Sequence, residues 1–287
     1  PIYFFSEEAW PLLQAHLIVS VVNNFTRYLS DDIRVLGGQY QRELTGAPEA
    51  MPADKAAFYL AADPFNQAIG YYYAQEKFSP AAKADVEAKV AKMIAVFKQR
   101  LQANDWLNAA TREKAITKLN TIVPHIGYPE QLPERLAKKI VQPGATLLET
   151  ALQFRQIEIA HEWSQWQQPV DRSEWHMPAH LVNAYYDPQQ NQIVFPAAIL
   201  QAPFYSLSQS SSANYGGIGA VIAHEISHAF DTNGASFDEF GSLKNWWTDD
   251  DFAAFKVRTD RVVAQFDGLD SYGAKVNGKL TVSENVA

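Results

Sequence analysis

The sequence predicts a mainly α-helical chain with one small β-sheet, an α+β arrangement. Three observations carry this prediction. Long stretches repeat apolar residues every three to four positions, only two short runs read as strands, and a proline-rich segment separates a helical first part from a mixed second part.

Taken in order, the elements begin with helices. Ser79-Pro80 sets an N-cap before a proline at the first helical position. The helix it opens carries the stripe Val86, Val90, Met93, Ile94, Phe97 and Leu101. A second helix runs through Ile116, Leu119 and Ile122. Pro124, Pro129, Pro133 and Pro143 then break the pattern and predict a domain boundary, with a helical region over residues 1–130 and a second region over 131–287. Gly144 to Trp163 reads as a helix. Leu181 to Tyr186 and Gln192 to Phe195 are strand-like runs joined by the turn chemistry of Asp187-Pro188-Gln189-Gln190-Asn191, so a hairpin is expected.

The next helix is the informative one. Ile218, Ile222, Ile226 and Ala229 form one apolar stripe, Gly216-Gly217 permits a tight approach, and Asn233-Gly234 supplies a turn where the pattern stops. Thr248 and Asp251 form a capping box for the last long helix. The run Asp249-Asp250-Asp251 therefore reads as a helix start and not as a calcium site.

On the far side of that apolar stripe stands His224-Glu225-Ile226-Ser227-His228. Each helical residue advances by roughly 100°, so the two histidines lie about 40° apart, one turn from each other, and both imidazoles can reach one ion. Glu225 points to one side, where it can take a proton from a water in the metal's open position. Ala220 and Val221 share the histidine face one turn upstream. A catalytic zinc needs a third protein ligand. Spacing leaves the choice open, because Asp238, Glu239, Asp249, Asp250 and Asp251 all lie nearer than Glu284.

Composition bounds the function. A chain of 287 residues, 47% hydrophobic, can bury a large core, and a net charge of −8 argues against nucleic acid as a partner. No run approaches the ~18 apolar residues that span a membrane, and the start is unlike a signal peptide. The absence of cysteine fits a reducing compartment or a bacterial source. The bacterial cytoplasm is the expected location, with a periplasmic or membrane-anchored full-length form left open. His176-Met177-Pro178-Ala179-His180 copies the histidine spacing, but Pro178 disfavours a regular helix. Asn24-Phe25-Thr26 matches a glycosylation acceptor by pattern only. His16, His125 and His161 are single histidines with structural or surface roles.

The ordered blocks Asn183-Ala184-Tyr185-Tyr186, Asn191 to Ala197, Asn214 to Gly219, His224 to Asp231, Trp246-Trp247-Thr248 and Ser283-Glu284-Asn285-Val286-Ala287 resemble the neprilysin and endothelin-converting-enzyme family of zinc metallopeptidases, including its bacterial oligopeptidase branch. Ile126-Gly127-Tyr128-Pro129 extends the likeness upstream. The resemblance implies a zinc-dependent endopeptidase acting on oligopeptides, with a thermolysin-like catalytic region and a helical region that helps enclose a chamber. It implies one Zn2+ per chain, held by His224, His228 and Glu284, with Glu225 as general base. It places Asp231 behind a ligand histidine, Asn183 and Ala184 on the substrate backbone, and Ile199, Phe204, Ala220 and Val221 around the pocket beyond the scissile bond. Ala220 is smaller than the family's residue there.

The family pattern continues past Ala287 with an aspartate, a histidine and an arginine, and this chain begins with Pro1. It therefore reads as a fragment of a longer enzyme, with weak zinc affinity and little turnover by itself. The alternative expectation is a catalytically incomplete, zinc-containing, peptide-binding fragment. Oligomeric state is not legible.

Overall fold

The computed structural model describes residues 6–287, and the chain divides into two compact units. The first comprises the described residues up to Asn66 together with Pro133–Gln168. It holds helices α1 (Trp10–Phe25), α2 (Asp31–Gly37), α3 (Gln39–Thr45), α4 (Ala53–Ala62) and α8 (Leu147–Ser164). Thr146 caps α8 with a full capping box to Glu149, one turn later than the expected start at Gly144. Within this unit Phe65 meets Phe154 edge to face at 5.7 Å, and Glu158 pairs with Arg135 and Lys139. The Asn24-Phe25-Thr26 pattern falls at the end of α1.

The second unit comprises Gln67–Leu132 and Pro169–Ala287. It begins within α5 (Asn66–Lys77) and continues through α6 (Pro80–Gln102), α7 (Ala109–Asn120) and strand β1 (Val123–Gly127). After the first unit's insertion come β2 (Tyr185–Asp187), β3 (Gln192–Pro196), α9 (Ser211–Gly216), α10 (Ile218–His228), α11 (Asp249–Phe266), the two-residue strands β4 (Asp270–Ser271) and β5 (Ala274–Lys275), and α12 (Val282–Val286). The main sheet has the order β1-β3-β2, with β1 parallel and β2 antiparallel to β3. All five residues of β3 are buried, which explains its unbroken Ile193-Val194-Phe195 run: a central strand covered on both faces needs no polar alternation.

The boundary therefore differs from the one expected at residue 130. The chain does break at Leu132 and Pro133, but residues 67–132 pack with 169–287, and 133–168 pack with the opening helices. The reason lies in the buried faces of α6 and α7. Val86, Val90 and Leu119 join one core cluster with Ile193, Phe195, Ile218, Ile222 and Ile226. A stripe in sequence says that a face is buried without saying against what. Two further details differ. Residues 123–127 form a strand despite Pro124, which an edge position tolerates, and the hairpin's first strand is confined to residues 185–187.

The caps follow the sequence. Ser79 accepts from the Ala82 amide, and Thr248 accepts from the Asp251 amide at the head of α11. Asp251 is buried and also accepts from the Asn108 amide, so one carboxylate joins the starts of α7 and α11. No helix among the described residues is long and apolar enough to cross a membrane.

Candidate metal centre

Helix α10 is anchored by its back. Ile218, Ile222, Ile226 and Ala229 are essentially inaccessible to solvent, which fixes the rotation of the helix and turns His224 and His228 the other way. Gly217, just before α10, has no room for a Cβ against the Phe204 carbonyl, so the tight approach needs glycine.

Three side chains converge in front of this helix. The Nε2 atoms of His224 and His228 are 2.9 Å apart, and one carboxylate oxygen of Glu284, on α12, lies 3.2 Å from the first and 3.6 Å from the second. Donors that bind one tetrahedral ion at about 2.0–2.2 Å stand roughly 3.3–3.6 Å apart; the two Glu284 separations match this closely, and the 2.9 Å between the imidazole nitrogens is shorter, so a shared cation requires the two rings to part by roughly half an ångström. The chemistry of the donor set, two imidazole nitrogens and a carboxylate oxygen, fits zinc. Among the described residues, these three form the group of histidine and acidic side chains able to hold a metal.

The protonation pattern agrees. His228 Nδ1 lies 2.6 Å from Asp231, which places the ring proton on Nδ1 and leaves the Nε2 lone pair facing His224 and Glu284. Asp231 is buried. Burial alone would raise its pKa, but hydrogen bonds from His228, Ser283 and the Gly234 and Asn233 amides outweigh that and hold it below the ordinary carboxylate value. The same bond to Asp231, opposed by burial, raises the pKa of His228. Ser283, next to Glu284, donates its hydroxyl to Asp231, so this carboxylate contacts both ligand-bearing helices.

Glu225 is 6% exposed and faces the same cleft from the side. Burial pushes its pKa up to about 7; the His228 charge and the Tyr186 amide oppose this, and the Glu284 charge adds to it. The cleft holds about 440 Å3 and is lined by Asn183, Ala184 and the β2 residues Tyr185 and Tyr186 as well as the histidines. Its wall includes β2, one of the two edge strands of the sheet.

The other expected pocket residues lie elsewhere. Ile199 is buried in the core, Val221 packs against it, and Ala220 and Phe204 are exposed; none of the four lines this cleft. Asp238 and Glu239 are buried away from the histidines, Asp238 accepting from the Phe240 and Ser242 amides and Glu239 pairing with Lys114. Asp249, Asp250 and Asp251 head α11, and His125 bonds the Arg172 carbonyl in a structural role. His176 and His180 lie outside any helix.

Sequence reasoning missed two groups here, Ser283 and Lys118. Ser283 stood in a recognised block but had no visible partner. Lys118 is 1% exposed and reaches the backbone behind the site. Its signal was present: a lysine inside the buried stripe Ala115, Leu119 and Ile122.

A helix presenting two imidazoles and a carboxylate to a third donor beside an open strand is the architecture of a metallohydrolase site. Two family models described as peptidase family M13 match, one over residues 3–129 and one over residues 183–287. A Streptococcus gordonii protein, provisionally named a zinc metalloproteinase of the scaA 5′ region, is 68% identical over 278 residues, covering 97% of this chain and 49% of its own. A neutral endopeptidase of Lactococcus lactis is 49% identical over 282 residues, covering 98% of this chain and 45% of its own. The crystal structure of PepO from Lactobacillus rhamnosis superposes with a TM-score of 0.86 at 48% identity, over 92% of this chain and 42% of that one. The chain belongs to peptidase family M13, the neprilysin-like zinc peptidases expected from its sequence blocks. It spans about half the length of the curated relatives it matches.

Proposed function

We propose that this chain carries the metal-binding and proton-transfer centre of a zinc-dependent endopeptidase that hydrolyses oligopeptides. The convergence of His224 Nε2, His228 Nε2 and Glu284 on one point is the observation that carries this reading. Those three side chains would hold one Zn2+ per chain. When bound, zinc supplies a Lewis acid that polarises the scissile carbonyl and lowers the pKa of water towards ~7.

The protein's own groups account for the rest. Glu225 is buried, close to neutral pKa in the absence of a cation, and adjacent to the donors. It takes the proton of the attacking water and returns it to the leaving amine. Asp231 holds His228 in the tautomer whose Nε2 is free. The outer edge of β2 receives the substrate as an added strand, with Asn183 and Ala184 on its backbone. Ala220 and Val221, one turn upstream along α10, are assigned with Ile199 and Phe204 to the pocket beyond the scissile bond. No covalent intermediate is required.

Metal analysis and peptide cleavage by purified wild-type, His224→Ala and Glu225→Gln proteins test this reading. Wild type should carry one zinc, His224→Ala none, and Glu225→Gln should keep its zinc and lose cleavage. Near-wild-type cleavage by Glu225→Gln would refute the assigned base. A second reading, a zinc-containing peptide-binding chain with little turnover, draws on the 68% exposure of the Glu284 side chain. Peptide bound but left uncut by the wild-type chain would establish it.

A further inference from the structure

Lys118 is a charged side chain sealed in the core. It projects from α7, is 1% exposed, and directs its three ammonium protons at three backbone carbonyls: Ala229 at 2.8 Å, Gly234 at 2.6 Å and Phe237 at 2.8 Å. An ammonium has three donors, so its hydrogen-bonding capacity is filled. The rings of Tyr186, Phe230 and Trp246 stand 5.8–5.9 Å from the same nitrogen.

The choice of carbonyls is informative. Ala229 ends α10, where unpaired carbonyls and the helix dipole favour a cation. Gly234 opens, and Phe237 caps, the short 3-10 turn Gly234–Ser236 that follows. Between the first two lies Asp231. Gly234 is therefore held from both sides, its amide donating to Asp231 at 2.7 Å and its carbonyl accepting from Lys118. Lys118 fixes the loop, the loop fixes Asp231, and Asp231 fixes the His228 ring.

We propose that Lys118 is a positioning residue for the metal centre: by gathering the Ala229, Gly234 and Phe237 carbonyls it folds the loop that aims Asp231 at His228. This rests on the metal reading above. It assigns the buried charge a task that an apolar side chain of the same length cannot perform, since methionine would take the donor from the Ala229 carbonyl and leave the Gly234 and Phe237 carbonyls with one donor each, the Phe237 amide and the Trp246 indole N–H. The outer partners of metal-bound histidines typically govern affinity by ~10–100-fold, and loss of Lys118 acts through one of them.

The test measures zinc dissociation constants by chelator competition for wild type, Lys118→Met, Lys118→Gln, Asp231→Asn and the double variant Lys118→Met/Asp231→Asn. Circular dichroism monitors the fold. Both Lys118 variants should keep their helical signal and bind zinc at least ~10-fold more weakly, with Gln, which retains two donors, the milder. The double variant should bind no more than about threefold more weakly than Asp231→Asn, because the two residues act in series. The His228 Nδ1 proton, observed by NMR in the metal-free protein, should lose its hydrogen-bonded shift in both Lys118 variants.

Unchanged affinity in the Lys118 variants overturns the proposal while leaving the metal reading intact. So do effects that multiply in the double variant, or loss of the helical signal in both Lys118 variants, which would assign the residue to general stability. A wild-type protein that binds no zinc overturns the metal reading and this inference with it.

Discussion

His228 and Asp231 stand 2.6 Å apart at the end of α10, and that contact decides which imidazole nitrogen is free. Asp231→Asn keeps the size of the side chain but no longer accepts as a carboxylate. Zinc affinity should fall by ~10–100-fold with the helical content unchanged, measured by chelator competition. Wild-type affinity in this variant would remove Asp231 from the centre.

Glu284 comes from a five-residue helix, whereas both histidines come from a helix packed against the core. Glu284→Ala should therefore abolish tight zinc binding without lowering the melting temperature of the metal-free protein, since its side chain is mostly exposed. A large drop in that temperature would show Glu284 to be a packing residue.

Gly234 lies where a Cβ would overlap the His228 carbonyl oxygen and the Ala229 backbone. Gly234→Ala must displace the loop that carries Asp231. It should destabilise the protein by about 3 kcal/mol and weaken zinc binding together, read by urea titration and metal competition. Loss of stability with zinc binding intact would separate loop packing from the site.

Asp251 gives a pH prediction. Burial would raise its pKa, but hydrogen bonds from Thr111, the Asn108 amide and Thr248 hold it below the ordinary value of 3.8. A carboxyl depressed on folding contributes stability above its unfolded pKa and loses it as pH falls through the folded one. Asp251→Asn should thus cost about 1–2 kcal/mol at pH 7, with the gap to wild type closing below pH ~4. Urea titrations at pH 7 and pH 3 check this, and an equal gap at both would contradict it.

Periodicity made the helices legible, because α6 and α10 bury single faces at 3.6-residue spacing and the N-caps of α6 and α11 announce themselves through Ser79 and Thr248. It could not say which core each face joins, so the grouping of residues 67–132 with α10 became visible only in three dimensions. Two of the three metal-facing donors were legible for the same reason: His224 and His228 are one turn apart on one helix. Glu284 lies 56 residues past His228 and has no local signature, so only family resemblance pointed to it. Lys118 and Ser283 act through contacts at separations of 111 and 52 residues, which no local pattern encodes.

A single carboxylate steadies His228 directly and touches the short helix of Glu284 through the Ser283 hydroxyl. The two arms of the grip consequently share one point of failure. An injury to either support propagates to the other, so partial versions of the grip should be scarce, and the cation-holding form should appear or vanish as a unit.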